Sequence, residues 1–173
     1  MENLKLRSEA PEDFRKIIEI HNLAFNTPGE GKLVNGLRES VAFVPDLSIV
    51  AEQEGAIVGH ILFSKITLTQ EGVDFNCLSL APVAVVPEYQ GKGVGKKMIQ
   101  EGIRRAQSLG FSSILVLGSP KYYGKFGFKH ELTNGIICKY KCAEFQGLEL
   151  KSDCLKNLKS AVATYPEAFS VVD

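Results

Sequence analysis

The sequence predicts an α/β protein built on one mixed, mostly antiparallel sheet with helices on both faces. Two apolar segments with period-two alternation flank a short turn signal early in the chain, which predicts an antiparallel hairpin. Later, an apolar strand leads through a glycine-rich turn into an amphipathic helix and then into another apolar strand, which is typical of a crossover connection. The chain has 173 residues, which fits one ordinary domain, so we expect residues 1–173 to form a single domain.

The first part of the chain predicts a strand followed by two helices. Leu4–Arg7 is short and alternating, as an opening strand would be. Pro11–Asp13 is typical of a first helical turn, because proline needs no N–H there and two acidic residues face the positive end of the helix. That helix should end near Asn26, and Leu33–Arg38 predicts a second, shorter helix.

The middle of the chain predicts three strands. Ser48–Gln53 and Ala56–Phe63 flank the turn signal Glu54-Gly55 and should pair as a hairpin. Phe75–Val86 is a longer apolar strand interrupted by Pro82, and a proline inside a strand marks a bulge or a lost ladder bond. We expect the sheet to open between this strand and the next one along the chain.

The last part of the chain predicts a helix and several short strands. Helical spacing runs over Gly95–Leu109, Ser113–Leu117 is a β-branched and leucine-rich strand, and Tyr122–Phe126 fits one or two helical turns. Two or three further strands should follow, which gives about seven in all. The candidates for them are Ile136–Tyr140, Phe145–Leu150 and Ala161–Tyr165.

The composition is typical of a globular protein and excludes several classes of function. Lysine plus arginine and aspartate plus glutamate both number 20, so no net charge attracts nucleic acid or an anionic membrane. No apolar run approaches the ~18 residues of a membrane-spanning helix, and Met1–Lys5 does not resemble a secretory signal, so we expect a cytoplasmic protein. The four cysteines form no C-x-x-C pair and should be reduced and buried. No cluster has metal-ligand spacing, so we expect no metal.

A glycine-rich segment after the long strand carries the clearest chemical signal. Three glycines at alternate positions leave backbone N–H groups accessible, and the following helix directs its positive end toward the same place. Three lysines add positive charge, so a diphosphate or polyphosphate is the expected ligand. The segment consists of Gln90, Gly91, Lys92, Gly93, Val94, Gly95, Lys96 and Lys97.

Two common phosphate-binding motifs do not fit this segment. A Walker loop needs one more residue than separates Gly91 from Gly95, and Lys97 stands where it needs a hydroxyl residue. A dinucleotide-binding fingerprint needs glycine where this chain has Lys96. A glycine turn without any ligand would explain the glycines alone, but it would leave the lysines unexplained.

The spacing Q-x-x-G-x-G, filled by Gln90, Gly93 and Gly95, resembles the hallmark of the GNAT superfamily of acyl-CoA N-acyltransferases. A later Y-x-x-x-G-F motif that begins at Tyr123 is similar to another motif of that family. The C-terminal part, from Phe145 onward, is similar to the YhbS-like branch of predicted acetyltransferases. The resemblance covers essentially the whole chain and implies a GNAT-like sheet that is splayed at its centre.

The resemblance implies transfer of an acetyl group from acetyl-CoA to a primary amine by direct attack in a ternary complex. It implies that backbone N–H groups of the glycine turn hold the pyrophosphate and that the preceding strand pairs with the pantetheine arm. A backbone N–H near Val85 would stabilise the oxyanion, and Tyr123 would be the general acid. Ser119 stands where many relatives carry asparagine. The residues implied to bind the cofactor are Val83, Ala84, Val85, Gln90, Gly91, Lys92, Gly93, Val94, Gly95, Lys96 and Ser119.

The general base and the acceptor stay open at this point. Many relatives place a glutamate on the strand before the turn, and this strand has none, so a water relay or an amine of lowered pKa are alternatives. His60 is a further candidate if it is not simply packed, and His21 and His130 have weaker claims. The acceptor would be a small-molecule or peptide amine. The oligomeric state is also open, and a homodimer is one alternative. The alternative function is a catalytically weak CoA-binding sensor or regulatory module.

Overall fold

The structure, a computed structural model, describes residues 3–173. Within that range the chain forms eight β-strands and four α-helices. The strands are β1 (Lys5–Ser8), β2 (Ser48–Gln53), β3 (Ala56–Gln70), β4 (Val73–Val85), β5 (Ser113–Leu117), β6 (Ile136–Ile137), β7 (Phe145–Glu149) and β8 (Ala161–Thr164). The helices are α1 (Phe14–Phe25), α2 (Gly29–Arg38), α3 (Val94–Ser108) and α4 (Pro120–Tyr123).

The strands form one open, mixed sheet. Its order is β1-β2-β3-β4-β5-β7, and β8 pairs with both β3 and β6. Strand pairs β4–β5 and β6–β8 are parallel, whereas β1–β2, β2–β3, β3–β8 and β5–β7 are antiparallel. The predicted mixed, mostly antiparallel sheet is therefore confirmed. The described residues contain eight strands instead of about seven, because all three of the C-terminal candidates pair.

The two early helices differ from the prediction only in their boundaries. A 3-10 turn at Pro11–Asp13 leads into α1, and Asn26, which follows the last helical residue, is in a left-handed conformation with φ 56°. Helix α2 begins at Gly29, four residues earlier than predicted. Glycine has a low helix propensity, so the two glycines of that first turn did not indicate a helix in the sequence.

The chain divides into two compact units. The first comprises the residues up to Ser64, Ala81–Ala106 and Pro166–Asp173, and the second comprises Lys65–Leu80 and Gln107–Tyr165. Strands β3 and β4 each continue from one unit into the other. That residues 1–173 act as a single domain remains a prediction.

In the first unit, α1 and α3 cover opposite faces of β3. A Cβ atom on Gly59 would lie 3.0 Å from Met98 Cε and 3.2 Å from Val94 Cγ1, so the first turns of α3 pack directly on this glycine. The next residue, His60, contacts His21 of α1 instead. Since successive residues of a strand point to opposite faces, the predicted helices on both faces are confirmed here. This packing fixes where α3 starts, and with it the turn that precedes α3.

Further along α3, Gly102 packs directly against the side chain of Phe63 on β3. A Cβ atom there would overlap the ring of Phe63, which is fully buried. We therefore expect Gly102→Ala to destabilise the protein by about 1–3 kcal/mol through overpacking, despite the gain in helix propensity. Urea unfolding would measure the loss, and adding Phe63→Leu should recover part of it. An alanine variant as stable as the wild type would contradict this packing.

The second unit contains the parallel pair β4–β5 and a separate apolar core. The pairing joins only three residue pairs, from Cys77 with Ser113 to Ser79 with Leu115, which agrees with a sheet that opens between these strands. Strand β6 is shorter than predicted, because only Ile136–Ile137 pairs with β8. The buried members of the core are Ile66, Leu68, Cys77, Leu115, Ile136, Phe145, Leu155, Leu158 and Ala161.

The cysteines are all free thiols, as the absence of a C-x-x-C pair predicted. Only Cys77 is buried, while Cys138 and Cys154 are half-buried and Cys142 is exposed. The expectation that all four pack as small buried hydrophobes is therefore wrong for Cys142, which lies in an exposed loop.

Candidate active site

The glycine-rich segment forms an exposed turn between β4 and α3 in the first unit. After β4, a 3-10 turn at Pro87–Tyr89 leads into the turn, and α3 begins at Val94. Gly91 has φ 71° and Gly93 has φ 86°, and a Cβ atom on either would meet nothing within 4 Å. Backbone conformation therefore favours glycine at both positions, since side-chain-bearing residues rarely adopt positive φ. The space in front of the turn is open.

The backbone N–H groups of this turn are available to a ligand. At the start of α3, the Lys97 N–H donates to Gly93 O at 3.1 Å. Within residues 3–173, the N–H groups of residues 91–96 find no acceptor. The first N–H groups of a helix have no intrahelical partner, and together with the helix dipole they form an anion site. An open turn with free donors fits a pyrophosphate group.

Side chains support this turn from both ends. The Gln90 amide donates from Nε2 to Val85 O at 2.9 Å, so it ties the turn to the last residue of β4. Lys92 Nζ lies 5.3 Å from the centre of the Tyr89 ring, and Lys96 and Lys97 are exposed. The Gln90 side chain therefore stabilises the turn, whereas the lysines provide positive charge around it.

The strand segment Val83–Val85 lies next to the turn in the same unit. Ala84 is buried, while Val83 and Val85 are half-buried. The Val86 N–H donates to Val58 O at 2.9 Å and attaches this end of β4 to β3. The structure thus brings the predicted pantetheine strand and the predicted pyrophosphate turn together.

Tyr123 belongs to the second unit, at the end of α4. Its ring packs against Gly118, where a Cβ atom would overlap it, and makes an edge-to-face contact with Phe128 at 5.8 Å. Burial, together with the neighbouring Tyr122, raises the pKa of Tyr123 to about 12. The phenol is therefore protonated at neutral pH, as a proton donor must be.

Ser119 precedes α4 and is exposed. Its carbonyl oxygen accepts the N–H groups of Tyr122 at 3.0 Å and Tyr123 at 2.9 Å. Its side chain makes no capping hydrogen bond. Ser119 and Tyr123 are therefore held together by the first turn of α4.

The three histidines fall into two groups. His60 and His21 are completely buried in the first unit, and His21 Nε2 lies 2.8 Å from His60 Nδ1. His130 is exposed in the second unit and donates from Nδ1 to Phe145 O at 2.8 Å. Sequence reasoning identified His60 as a polar residue in an apolar strand, but it missed the partners Glu9 and Ser48, because no local pattern marks them.

Residues 3–173 contain neither a metal-binding cluster of side chains nor a membrane-spanning helix. No group of three or more histidine, cysteine, aspartate or glutamate side chains is arranged to hold a metal ion. No helix in this range is both long and apolar enough to cross a membrane.

A sequence model of the acetyltransferase (GNAT) domain matches residues 5–130, which include the glycine turn and the Y-x-x-x-G-F motif. This chain belongs to the GNAT family. The predicted family is thereby confirmed, and the prediction of an acetyl-CoA-dependent N-acetyltransferase is confirmed at the level of the family.

Two relatives from Escherichia coli (strain K12) place the chain within the GNAT family. It is 41% identical to the N-acetyltransferase YjhQ over 117 residues, which cover 68% of this chain and slightly less than two thirds, 65%, of YjhQ. It is 29% identical to the N-acetyltransferase YhbS over 167 residues, which cover 95% of this chain and 98% of YhbS. The predicted likeness to the YhbS branch is confirmed.

Two solved GNAT structures share the whole fold. YhbS from Escherichia coli, in complex with CoA, matches with a TM-score of 0.86 and 29% identity, over 96% of this chain and 92% of that one. A GNAT acetyltransferase from Brucella melitensis, in complex with acetyl-CoA, matches with a TM-score of 0.80 and 32% identity, over 98% and 99% of the two chains. The fold described above is therefore that of GNAT acetyltransferases.

Proposed function

We propose that this protein transfers an acetyl group from acetyl-CoA to a primary amine by direct attack in a ternary complex. The observation that carries the proposal is the open glycine turn before α3, whose N–H groups have no acceptor within residues 3–173. The CoA and acetyl-CoA complexes of the two structural neighbours support the same ligand class here.

The turn would hold the pyrophosphate of acetyl-CoA. Its N–H groups would donate to phosphate oxygens, and the positive end of α3 would stabilise the negative charge. Lys92, Lys96 and Lys97 would add attraction that weakens as salt increases. Gln90 would act indirectly, because its amide is already bonded to Val85 O and fixes the turn on the strand.

The end of β4 would position the thioester. The backbone of Val83–Val85 would pair with the pantetheine arm as a neighbouring strand does, and the Val85 N–H would stabilise negative charge on the thioester oxygen. Ala84 is buried, so its side chain anchors this part of the strand.

Tyr123 would protonate the departing thiolate. Its hydroxyl finds no hydrogen-bond partner within residues 3–173 and stays protonated at neutral pH, because its pKa is raised to about 12. A protonated leaving group departs more readily, so general acid catalysis lowers the barrier to C–S cleavage. Ser119 would contact the cofactor from the first turn of α4.

Calorimetric titration with CoA tests the binding half of the proposal. One site per chain is expected, with an affinity that falls as salt rises from low to physiological concentration, because phosphate recognition is partly electrostatic. Absence of heat, together with an unchanged melting temperature in excess CoA, would refute the proposed ligand.

A further inference from the structure

One face of the sheet in the second unit is exposed to solvent. The strand register places Val162 of β8 beside Thr69 of β3 and beside Ile137 of β6. Residues directly opposite each other carry their side chains on the same face, so these three side chains lie in one row. The neighbouring residue of β3, Leu68, points to the other face and belongs to the buried core. The sheet of this unit therefore has one packed face and one exposed face.

The exposed surface continues along β3 and onto β4. Thr69 Oγ1 donates to Asp74 Oδ1 at 2.6 Å, so the Asp74 side chain lies on the same face. Alternate residues of a strand share a face, which adds Thr67, its partner Thr164 on β8, and Lys65. We call this surface the open face. Its members are Lys65, Thr67, Thr69, Asp74, Asn76, Ile137, Val162 and Thr164.

The open face carries exposed apolar side chains. Ile137 is 56% exposed and Val162 is 48% exposed, and the two are direct neighbours in the register. The three threonines add methyl groups to the same surface. Single apolar residues are common on protein surfaces, whereas contiguous apolar patches mark interaction sites. We therefore expect the open face to be covered by a binding partner.

The charged members of the open face lie at its opposite ends. Asp74 is beside Thr69, and Lys65 precedes Thr69 by four residues, which separates the two charges by about 13 Å along the strands. Lys65 is exposed and has no ion-pair partner within residues 3–173. Asp74 is also exposed, and its contact is a threonine hydroxyl and not a cation. Each charge is therefore available to an opposite charge from another molecule.

This arrangement makes the open face complementary to itself. A two-fold axis that lies between two facing copies and runs across the strands reverses the strand direction of one copy relative to the other. The axis therefore brings Lys65 of each copy toward Asp74 of the other, and the methyl-rich rows between them face each other. An isologous dimer requires a surface of this kind, because the same patch is used on both subunits.

We propose that the open face binds the open face of a second copy of this chain. The two sheets pack face to face with their strands antiparallel. Ile137 and Val162 leave water in both copies, which provides the apolar contribution. Two ion pairs between Lys65 and Asp74 fix the register. This inference is independent of the proposed acetyl transfer, because no residue of the glycine turn takes part in the contact.

A second copy fits the open face better than a partner of one dominant charge. The charges of Lys65 and Asp74 cancel, so the open face has no net charge that would attract nucleic acid or a strongly acidic or basic protein. Threonine hydroxyls both donate and accept hydrogen bonds, so Thr67 and Thr164 can pair with the same residue types of the facing copy.

The size of the open face determines how strong the dimer should be. Four strands with a spacing of about 4.8 Å span about 19 Å, and the members extend about 13 Å along the strands. That footprint of a few hundred Å² is smaller than the roughly 800 Å² per partner of a standard interface, so the dimer should be weak and reversible. We expect a dissociation constant on the order of 10 μM.

Sedimentation velocity of the full chain tests the dimer itself. Between about 1 μM and about 500 μM, a range that brackets the expected dissociation constant, the wild type should change from monomer to dimer. Raising the salt concentration should weaken the dimer, because exposed ion pairs are screened. A wild type that stays monomeric over the whole range overturns the proposal.

Charge exchange tests which surface forms the dimer. Lys65→Glu and Asp74→Lys should each weaken the dimer by about tenfold or more, because like charges then face each other. The double variant exchanges the two charges and should recover most of the affinity, which general damage to the fold could not do. Lys151→Glu, an exposed lysine after β7 and outside the open face, is the control and should dimerise as the wild type.

Val162→Lys tests the apolar contribution separately. A lysine at this half-exposed position places two equal charges in the middle of the contact, so the variant should be monomeric at about 500 μM. Circular dichroism would show that it remains folded, and if it does not, the charge-exchange pair decides. A dimer that persists unchanged in Val162→Lys and in both single charge reversals overturns the proposal, because another surface must then hold the two copies.

Discussion

Replacing Tyr123 with phenylalanine should lower kcat by tenfold or more while acetyl-CoA affinity stays close to wild type. General acid catalysis typically contributes about 10²–10⁴-fold, and the substitution removes only the hydroxyl. The ring contacts with Gly118 and Phe128 are kept, so the fold should be unaffected. Single-turnover kinetics with acetyl-CoA would measure the chemical step, because product release then does not limit the rate.

The pH dependence distinguishes an acid from a packing residue. The pKa of Tyr123 is raised from 10 to about 12, so its protonated, active form persists as pH rises and is lost only near pH 12. The wild-type rate should therefore show no loss assigned to this group between pH 7 and pH 10. Tyr122→Phe, one residue away and 38% exposed, is the matched control. An unchanged single-turnover rate in Tyr123→Phe would assign the ring to packing.

Replacing Gly93 with valine should abolish detectable CoA binding. Gly93 has φ 86°, a conformation that valine rarely adopts, so the turn must change and its N–H groups lose their common direction. The added side chain would also occupy the open space in front of the turn. We expect at least a hundredfold loss of affinity by calorimetry, with kcat/KM for acetyl-CoA reduced in parallel.

Gly72→Val provides the control for backbone strain. Gly72 has φ 76° in the turn between β3 and β4, and a Cβ atom there also meets nothing within 4 Å. Both variants should lose similar stability in urea, but Gly72→Val should retain CoA binding. Equal loss of binding in the two variants would show that general destabilisation, and not the glycine turn, accounts for the effect.

Local sequence patterns predicted most of the fold. Strand β5 begins and ends at the predicted residues, and the hairpin of β2 and β3 was identified from alternation around Glu54-Gly55. These segments combine regular periodicity with clear turn residues. The prediction missed the first turn of α2, because Gly29 and Gly31 have a low helix propensity. It made β6 too long, because apolar content alone does not determine which residues pair.

Local sequence patterns likewise predicted only part of the candidate site. The glycine turn, the preceding strand and Tyr123 form contiguous motifs, so the sequence and its family resemblance identified them. The partnership of His21, His60, Ser48 and Glu9 joins residues up to 51 positions apart. Their proximity follows from the pairing of β2 with β3 and from the packing of α1 on β3, which no local pattern contains. The motif also did not indicate the hydrogen bond from the Gln90 amide to Val85 O.

The most direct test of acetyl transfer measures free CoA thiol and acetylated amine in the same reaction. The purified protein would be mixed with acetyl-CoA and a panel of primary amines, including polyamines, amino acids and peptides with free N-termini. We expect thiol release that depends on one class of amine, equals the acetylated product in amount and falls sharply in Tyr123→Phe. Tight binding of acetyl-CoA with no amine-dependent thiol release for any amine would contradict it and favour a CoA-binding regulatory protein.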